Sequence, residues 1–249
     1  MIKTPIIHTF PTETLVYDTA QYIADFLVEK LKKDSVLLLL SGGSAITMYE
    51  KMFEILIEKT IDLHNLSVSL FDERFVSQNS LDSNELQLRN AGVITQLMDR
   101  EASWIPYLNS EQEENGKQVA QRVTQALTRE LSLGKQLIIL AGMGDDGHTA
   151  GLLPVQQDSP NRSRLFDTDQ FVAYYQVDSS DSNNPFSYRL TATPALIKEA
   201  HHVFLYTAGE KKRPALQHFM NQDGPIHRYP VISLLASQQP VEVLTDITV

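Results

Sequence analysis

The stretch "LIILAGMGDDGHTAGLLP", residues 137–154, changes character part of the way along its length. Its first five residues are apolar and typical of a buried strand, and they are followed by glycines, two aspartates and a histidine. Three of the glycines also match the G-x-G-x-x-G pattern of dinucleotide-binding loops. The stretch therefore predicts either a loop that binds a pyrophosphate or a loop that carries out chemistry through Asp146 and His148.

The residues after this loop do not fit dinucleotide binding. Such a loop leads into a long helix, and an acidic ribose-binding residue follows about 20 positions later at the end of the next strand. Here Pro154 lies seven residues after the third glycine, and the acidic candidate Asp158 lies in a polar segment with no strand before it. The carboxylates of Asp145 and Asp146 would also repel a pyrophosphate. The match to the dinucleotide pattern is therefore interpreted as fortuitous.

The spacing of Asp146 and His148 favours the second interpretation. They are two positions apart, so in an extended segment their side chains would point to the same side. A histidine beside a carboxylate can act as a general base near neutral pH. The pair is therefore a candidate for acid–base chemistry.

The composition excludes several classes of protein. The chain has 249 residues, a formal net charge of −10 and no cysteine, which excludes disulfides, thiol nucleophiles and cysteine-ligated metals. Nucleic-acid binding needs a basic face, and the sequence has no basic run, so we expect no nucleic-acid partner. The longest apolar runs, such as residues 36–40, are too short to span a bilayer, and the N-terminus does not resemble a signal peptide. We therefore expect a cytoplasmic protein with no membrane partner.

Short apolar segments alternate with longer amphipathic ones along the chain. The apolar segments predict strands at residues 36–41, 66–71, 136–141, 171–177, 202–207 and 241–245. Amphipathic spacing predicts helices over residues 12–31 and 111–131, and polar loops are expected over 155–170 and 178–187. Such alternation predicts an α/β fold with an open, mostly parallel, Rossmann-like sheet covered by helices on both faces. We expect one domain over residues 1–249.

Polar clusters follow four of the predicted strands. They occupy residues 41–44 (SGGS), 72–74 (DER), 142–148 (GMGDDGH) and 208–212 (AGEKK). Ligands of open α/β sheets bind outside the carboxyl ends of the strands, so we expect these clusters to converge on one site. The glycines and helix start of residues 41–44 suit an anion. In the second cluster, a buried Arg74 would need an acidic partner or a ligand, and Asp72 or Glu73 could be that partner.

With these residues assembled, the chain resembles the 6-phosphogluconolactonases, within the wider group that includes glucosamine-6-phosphate deaminase. The resemblance runs in order through most of the chain. It rests on "SGGS" (41–44), "DERFV" (72–76), "SNELQLRNAGV" (83–93), "GMGDDGHTAGLLP" (142–154), "RLTATPALI" (189–197) and "GEKKRPAL" (209–216). The block at 142–154 is the most specific of these segments.

The resemblance implies hydrolysis of 6-phosphogluconolactone in the oxidative pentose phosphate pathway, with a phosphorylated sugar lactone as the small-molecule partner. It implies no cofactor and no required metal. It also implies that His148 is the catalytic base and that Asp146 and Arg74 line the site. Asp146 either orients the imidazole or holds sugar hydroxyls. The residues implied in binding the substrate or its phosphate are Ser41, Gly42, Gly43, Ser44, Asp72, Arg189 and Lys211.

Two alternative functions stay open. The first is a deaminase of the same group, which carries a glutamate just before the proline of the 142–154 block and "DEY" at the second cluster. Here those positions read Leu153 and "DER", so deamination is disfavoured. The second is a regulator that binds a sugar phosphate without turnover, which could dispense with His148. A turnover assay distinguishes both from a lactonase.

Overall fold

The computed structural model describes residues 3–59, 61–109, 114–178 and 186–248. Within these residues, seven strands form one parallel sheet. Their order across the sheet is β1 (Ile6–Thr9), β10 (Glu242–Thr245), β9 (His202–Thr207), β6 (Gln136–Gly142), β2 (Val36–Leu40), β3 (Leu66–Leu70) and β5 (Ser103–Ile105). Every residue of β2 and β3 is buried, as expected for strands covered on both faces. The predicted parallel α/β sheet is confirmed.

A second sheet was not anticipated from the sequence. It contains three antiparallel strands, β4 (Asp72–Arg74), β8 (Tyr188–Ala192) and β7 (Val172–Gln176). The strand predicted over 171–177 exists, but it lies in this sheet, and the polar residues after β3 form a strand that was not predicted. Pairing between distant segments leaves no local signature in the sequence, which explains both differences.

Helices connect the strands of both sheets. Those described are α1 (Leu15–Leu31), α2 (Ile46–Glu58), α3 (Asn84–Asn90), α4 (Val93–Met98), α5 (Gly116–Ser132), α6 (Pro160–Phe166), α7 (Pro194–Glu199) and α8 (Arg213–Asn221). The first and fifth correspond to the two helices predicted from amphipathic spacing, although residues 111–113 of the second prediction lie outside the described residues. The loop expected over 155–170 was wrong in part, because Ser159 caps α6 there. Most of the other expected loop, 179–185, also lies outside the described residues.

The strand order places a topological switch between β2 and β6. From β2 the chain proceeds outward to β3 and β5 on one side, and from β6 it proceeds outward to β9 and β10 on the other, where the first strand, β1, forms the edge. Crevices form outside the carboxyl ends of strands at such a point, and two of the polar clusters follow β2 and β6 directly. Among the described helices, none is long and apolar enough to cross a membrane.

Candidate active site

A cavity of about 320 Å³ lies at this switch point. The residues predicted from the sequence that line it are Ser41, Gly42, Gly43, Ser44, Asp72, Arg74, His148 and Arg189. Three further polar side chains on its wall were missed, namely Asn84, Tyr206 and Lys212. Asp146 and Lys211 do not line the cavity. The four polar clusters therefore converge, although individual side chains differ from the expectation.

Asp146 and His148 form a close pair beside the cavity. Nδ1 of His148 lies 2.6 Å from Oδ1 of Asp146, and the same oxygen accepts the His148 backbone N–H at 3.0 Å. The two side chains meet through a turn at Gly147, with φ of 82°, and not through the extended backbone that we expected. Burial raises the pKa of Asp146, but the hydrogen bonds and charge of His148 outweigh burial and lower that pKa overall.

Gly144 provides the space in which the imidazole lies. A Cβ atom at this position would be 2.1 Å from both Cε1 and Nδ1 of His148. The backbone N–H of Gly144 also donates to the carbonyl of His148 at 2.9 Å. The third glycine of the block, Gly147, permits the left-handed turn between the paired side chains. Glycines that resemble a dinucleotide fingerprint therefore serve to seat a histidine.

The glycine loop after β2 lines the cavity and contains two unpaired backbone amides. Within the described part of the chain, the N–H groups of Gly42 and Gly43 have no hydrogen-bond acceptor. The loop continues through a short 3-10 turn into α2, whose dipole favours an anion at this end. Ser41 links the loop to its neighbour, because its Oγ accepts the N–H of Gly142 at 3.2 Å. The loop can therefore hold an anionic group against fixed backbone donors.

Asn84 joins the glycine loop to the strand β4. Its Nδ2 donates to the carbonyl of Asp72 at 2.9 Å, and its side chain packs so closely on Gly42 that a Cβ there would be 2.1 Å from Oδ1. Glu73 holds the backbone of Asn84 in place. The Glu73 carboxylate accepts hydrogen bonds at 2.7–2.9 Å from the Ser83 hydroxyl and from the backbone N–H groups of residues 74, 84 and 85. These hydrogen bonds act to lower the pKa of Glu73, but burial outweighs them and raises it to about 7.

Two arginines lie over one aromatic ring at the cavity wall. The guanidinium carbons of Arg74 and Arg189 are 4.8 Å and 5.6 Å from the ring centroid of Phe186. Asp72 was one of two possible acidic partners for Arg74, but it approaches Arg189 instead, with 3.7 Å between Oδ2 and Nη1. Arg74 donates from Nη1 to the carbonyl of Asp82 at 2.8 Å. This hydrogen bond holds Arg74 at the cavity.

Asp72 is a buried carboxylate at the same wall. Burial raises its pKa, while the charges of Arg189, Arg74 and His148 oppose that shift. Cations and carboxylates therefore share one small cavity, a combination that suits a ligand with both anionic and hydroxyl groups.

Two adjacent lysines, Lys211 and Lys212, differ in their position relative to the cavity. The resemblance implied that Lys211 binds the phosphate, but it is Lys212 that lines the cavity. Both belong to a 3-10 turn, in which successive side chains point about 120° apart. Lys211 is exposed, and Lys212 is partly buried. Burial lowers the pKa of Lys212, and the charge of Asp145 opposes that shift.

Two of the missed residues carried signals that could have identified them. Asn84 lies in the "SNELQLRNAGV" segment that supported the resemblance, and Tyr206 lies at the carboxyl end of β9. Within the described ranges, no group of three or more histidine, aspartate or glutamate side chains is arranged to hold a metal ion. The site is therefore built from a histidine–carboxylate pair, cations and backbone amides.

This arrangement suits acid–base chemistry on an anionic small molecule, because a base, a binding loop for an anion and cations for developing charge share one cavity. The sequence profile of the family described as glucosamine-6-phosphate isomerases/6-phosphogluconolactonase matches residues 11–243. The chain therefore belongs to this family.

Individual relatives point to one branch of that family. The chain is 31% identical over 224 residues to the 6-phosphogluconolactonase of Mesorhizobium japonicum, which covers 89% of this chain and 86% of the relative. It is 28% identical over 228 residues to that of Neisseria meningitidis, covering 89% and 91%. Among solved structures, the 6-phosphogluconolactonase from Shewanella baltica superposes with a TM-score of 0.75 at 25% identity, covering 98% and 99% of the two chains.

The other branch shares the fold. A monomeric glucosamine-6-phosphate deaminase superposes with a TM-score of 0.70 at 18% identity, covering 96% of this chain and 97% of the deaminase. At that identity the likeness concerns the fold alone. Leu153, which stands where the deaminase branch is expected to carry a glutamate, is buried and does not line the cavity.

Proposed function

We propose that the protein hydrolyses 6-phosphogluconolactone to 6-phosphogluconate, the lactone-opening step of the oxidative pentose phosphate pathway, with His148 as the general base. The observation that carries this proposal is the 2.6 Å contact between His148 and Asp146 at the wall of a cavity lined by the glycine loop and three cations. The named relatives and the family membership support the choice of substrate.

The contact with Asp146 assigns the roles of the two imidazole nitrogens. Nδ1 carries the proton that is shared with the carboxylate, so Nε2 is the nitrogen available as a base. Nε2 of His148 takes a proton from water while the water oxygen forms a bond to the lactone carbonyl carbon C1. Asp146 stabilises the imidazolium that results, which favours the orienting role over direct contact with sugar hydroxyls, since Asp146 does not line the cavity.

The second half of the reaction breaks the ring. Attack on C1 moves the carbonyl electron pair to oxygen, and Arg74 stabilises this oxyanion. The tetrahedral intermediate then collapses, the bond between C1 and the ring oxygen breaks, and the imidazolium returns its proton to that oxygen. The products are a carboxylic acid, which ionises, and a free hydroxyl, so no oxidant, reductant or further reactant is needed.

The phosphate group occupies the glycine-loop end of the cavity. Backbone N–H groups of Gly42 and Gly43 and the ammonium group of Lys212 are its donors, together with the guanidinium group of Arg189, which lines the same cavity. This assignment rests on the unpaired amides and on the position of Lys212 at the cavity, where Lys211 is absent. Asp72, which lines the cavity, accepts a hydroxyl of the sugar in this proposal.

The decisive test follows the opening of freshly generated 6-phosphogluconolactone and subtracts the spontaneous rate at each pH. We expect strong acceleration that persists in excess chelator, because the described residues offer no metal-binding cluster. Loss of activity in chelator with recovery on adding a divalent ion would contradict the metal-free reaction. Ammonia release from glucosamine 6-phosphate at a comparable rate would favour the deaminase, and binding without turnover would favour the regulator.

A further inference from the structure

The segment that follows α8 lies against the outer side of the turn that carries Asp146 and His148. The N–H of Val231 donates to the carbonyl of Gly147 at 3.0 Å. Gly147 separates the two paired side chains, and its backbone has a left-handed conformation that glycine adopts without steric cost. The turn is therefore supported by a segment that does not line the cavity.

The ring of Tyr229 fills the space between two glycines at this point. A Cβ atom on Gly147 would lie 3.1 Å from Cδ1 of Tyr229, and one on Gly224 would lie 2.7 Å from Cδ2, on the opposite edge of the ring. The imidazole of His218 stacks on the ring, with centroids 4.1 Å apart and an interplanar angle of 18°. The ring is thus held on both edges and on one face.

We propose that Tyr229 is a positioning residue for the hydrolysis, because its ring holds the Gly147 turn and thereby keeps the imidazole of His148 on the carboxylate of Asp146. This inference rests on the proposed role of His148. Tyr229 does not line the cavity, so it acts on the reaction only through the turn. A general base displaced by about 1 Å can cost on the order of a hundredfold in rate, so support of this kind has a measurable effect.

Removing the ring should separate chemistry from binding. Without the ring, a void opens beside Gly147, and the turn can relax into it. The glycine loop belongs to another segment, and Lys212 lies at the start of α8, at the far end of that helix from His218, so phosphate binding should be preserved. In Tyr229→Ala we therefore expect kcat to fall about tenfold or more while KM stays within about twofold. Tyr229→Phe keeps the ring and should retain nearly the wild-type kcat.

A matched control distinguishes positioning from general loss of stability. Phe26 is also a partly buried aromatic residue against a histidine, with its ring 4.5 Å from that of His202, but it lies away from the cavity. Phe26→Ala should lower the unfolding temperature and leave kcat unchanged. Leucine fills more of the space left by the tyrosine ring than alanine does, so Tyr229→Leu replaces Tyr229→Ala if that variant does not fold. An equal loss of kcat in Phe26→Ala at matched stability would overturn the proposal.

Titration of Asp146 provides a readout that does not depend on turnover. Contacts with His148 lower the pKa of this carboxyl, so a loosened pair should let that pKa rise. Carbon-13 NMR of labelled aspartate follows it in the wild type and in Tyr229→Ala, with Tyr229→Phe unchanged. An unmoved Asp146 pKa together with wild-type kcat in Tyr229→Ala would refute positioning. If His148→Asn remained fully active while the Asp146 pKa still rose in Tyr229→Ala, the proposed base would be wrong and the support of the pair by Tyr229 would stand.

Discussion

His148 is bound twice by the carboxylate of Asp146, through Nδ1 at 2.6 Å and through its backbone N–H at 3.0 Å. The chain repeats this local arrangement elsewhere, since Asp62 lies 2.5 Å from Nδ1 of His64 and accepts its N–H at 3.0 Å. His64 is exposed and lies outside the cavity, whereas His148 lines the cavity. The local pair is therefore not sufficient for a site, and the second copy provides a natural control.

Replacing His148 by asparagine should abolish most of the catalysis and retain the fold. Positioned proton transfer is typically worth about 10²–10⁴-fold in rate, so we expect a fall in kcat of that order with KM little changed. Asparagine keeps the polarity and approximate size of the side chain and lacks a basic nitrogen. The measurement is steady-state lactone opening after subtraction of the spontaneous rate. His64→Asn is the control and should be fully active; a folded His148→Asn enzyme with wild-type kcat would exclude His148 as the base.

Lys212→Ala should weaken binding of the phosphorylated substrate more than it slows the chemistry. A charge-assisted contact contributes on the order of 1.5–3 kcal/mol, which corresponds to a rise in KM of roughly ten- to a hundredfold with kcat little changed. The adjacent Lys211→Ala is the matched control, because Lys211 is exposed and does not line the cavity. The reverse result, with KM raised only in Lys211→Ala, would restore the assignment implied by the sequence resemblance.

Gly144→Ala should impair the reaction without removing any functional group. The added methyl group would meet Cε1 and Nδ1 of His148 at 2.1 Å and Oδ1 of Asp146 at 2.7 Å, so the paired imidazole and carboxylate must move. We expect kcat to fall at least about tenfold, because the base is displaced, while KM changes little. Kinetics and thermal unfolding are measured together. Unchanged kcat in a folded variant would mean that the imidazole position seen here is not needed for turnover.

Glu242 should stabilise the protein at neutral pH and lose this effect in acid. It lies at the amino end of β10, on the opposite edge of the sheet from the cavity, within 2.8 Å of Nε2 of His8 and 2.7 Å of Nε2 of His202. Burial opposes ionisation, but hydrogen bonds from His202, Tyr22 and His8 outweigh it and lower the pKa of Glu242 from 4.5 to about 2. Since the folded-state pKa is below the unfolded one, the stabilisation is complete above the unfolded value and is lost as the pH falls through the folded one.

We therefore expect Glu242→Gln to lower the free energy of unfolding at pH 7 by on the order of 2 kcal/mol, after allowance for partial solvent screening. The difference from the wild type should narrow as the pH approaches 2. Urea unfolding at pH 7 and pH 3 measures this. Glu29→Gln, which removes an exposed pair with Lys32, should change little at either pH. A stability difference that is the same at both pH values would show that the ionised carboxylate is not its source.

The sequence determined the layered fold and the chemical content of the site. Continuous apolar runs such as Val36–Leu40 are typical of strands covered on both faces, and the polar residues after parallel strands gather at one sheet edge. The pairing of Asp146 with His148 is also local, because a short turn with glycine between them brings the two side chains together. These features depend on neighbouring residues or on the alternation of strands and helices, and both can be seen in the sequence.

Only the tertiary structure decided which of these groups meet. The second sheet brings Arg189 from β8 next to Asp72 from β4, and no local pattern encodes a pairing across more than a hundred residues. Whether Lys211 or Lys212 lines the cavity depends on how one short 3-10 turn is oriented relative to the cavity. Two Asp–His pairs make the same two kinds of contact, and the difference between a surface turn and a candidate active site is set by packing between distant segments. That packing follows from the burial of the whole core and not from any single stretch of sequence.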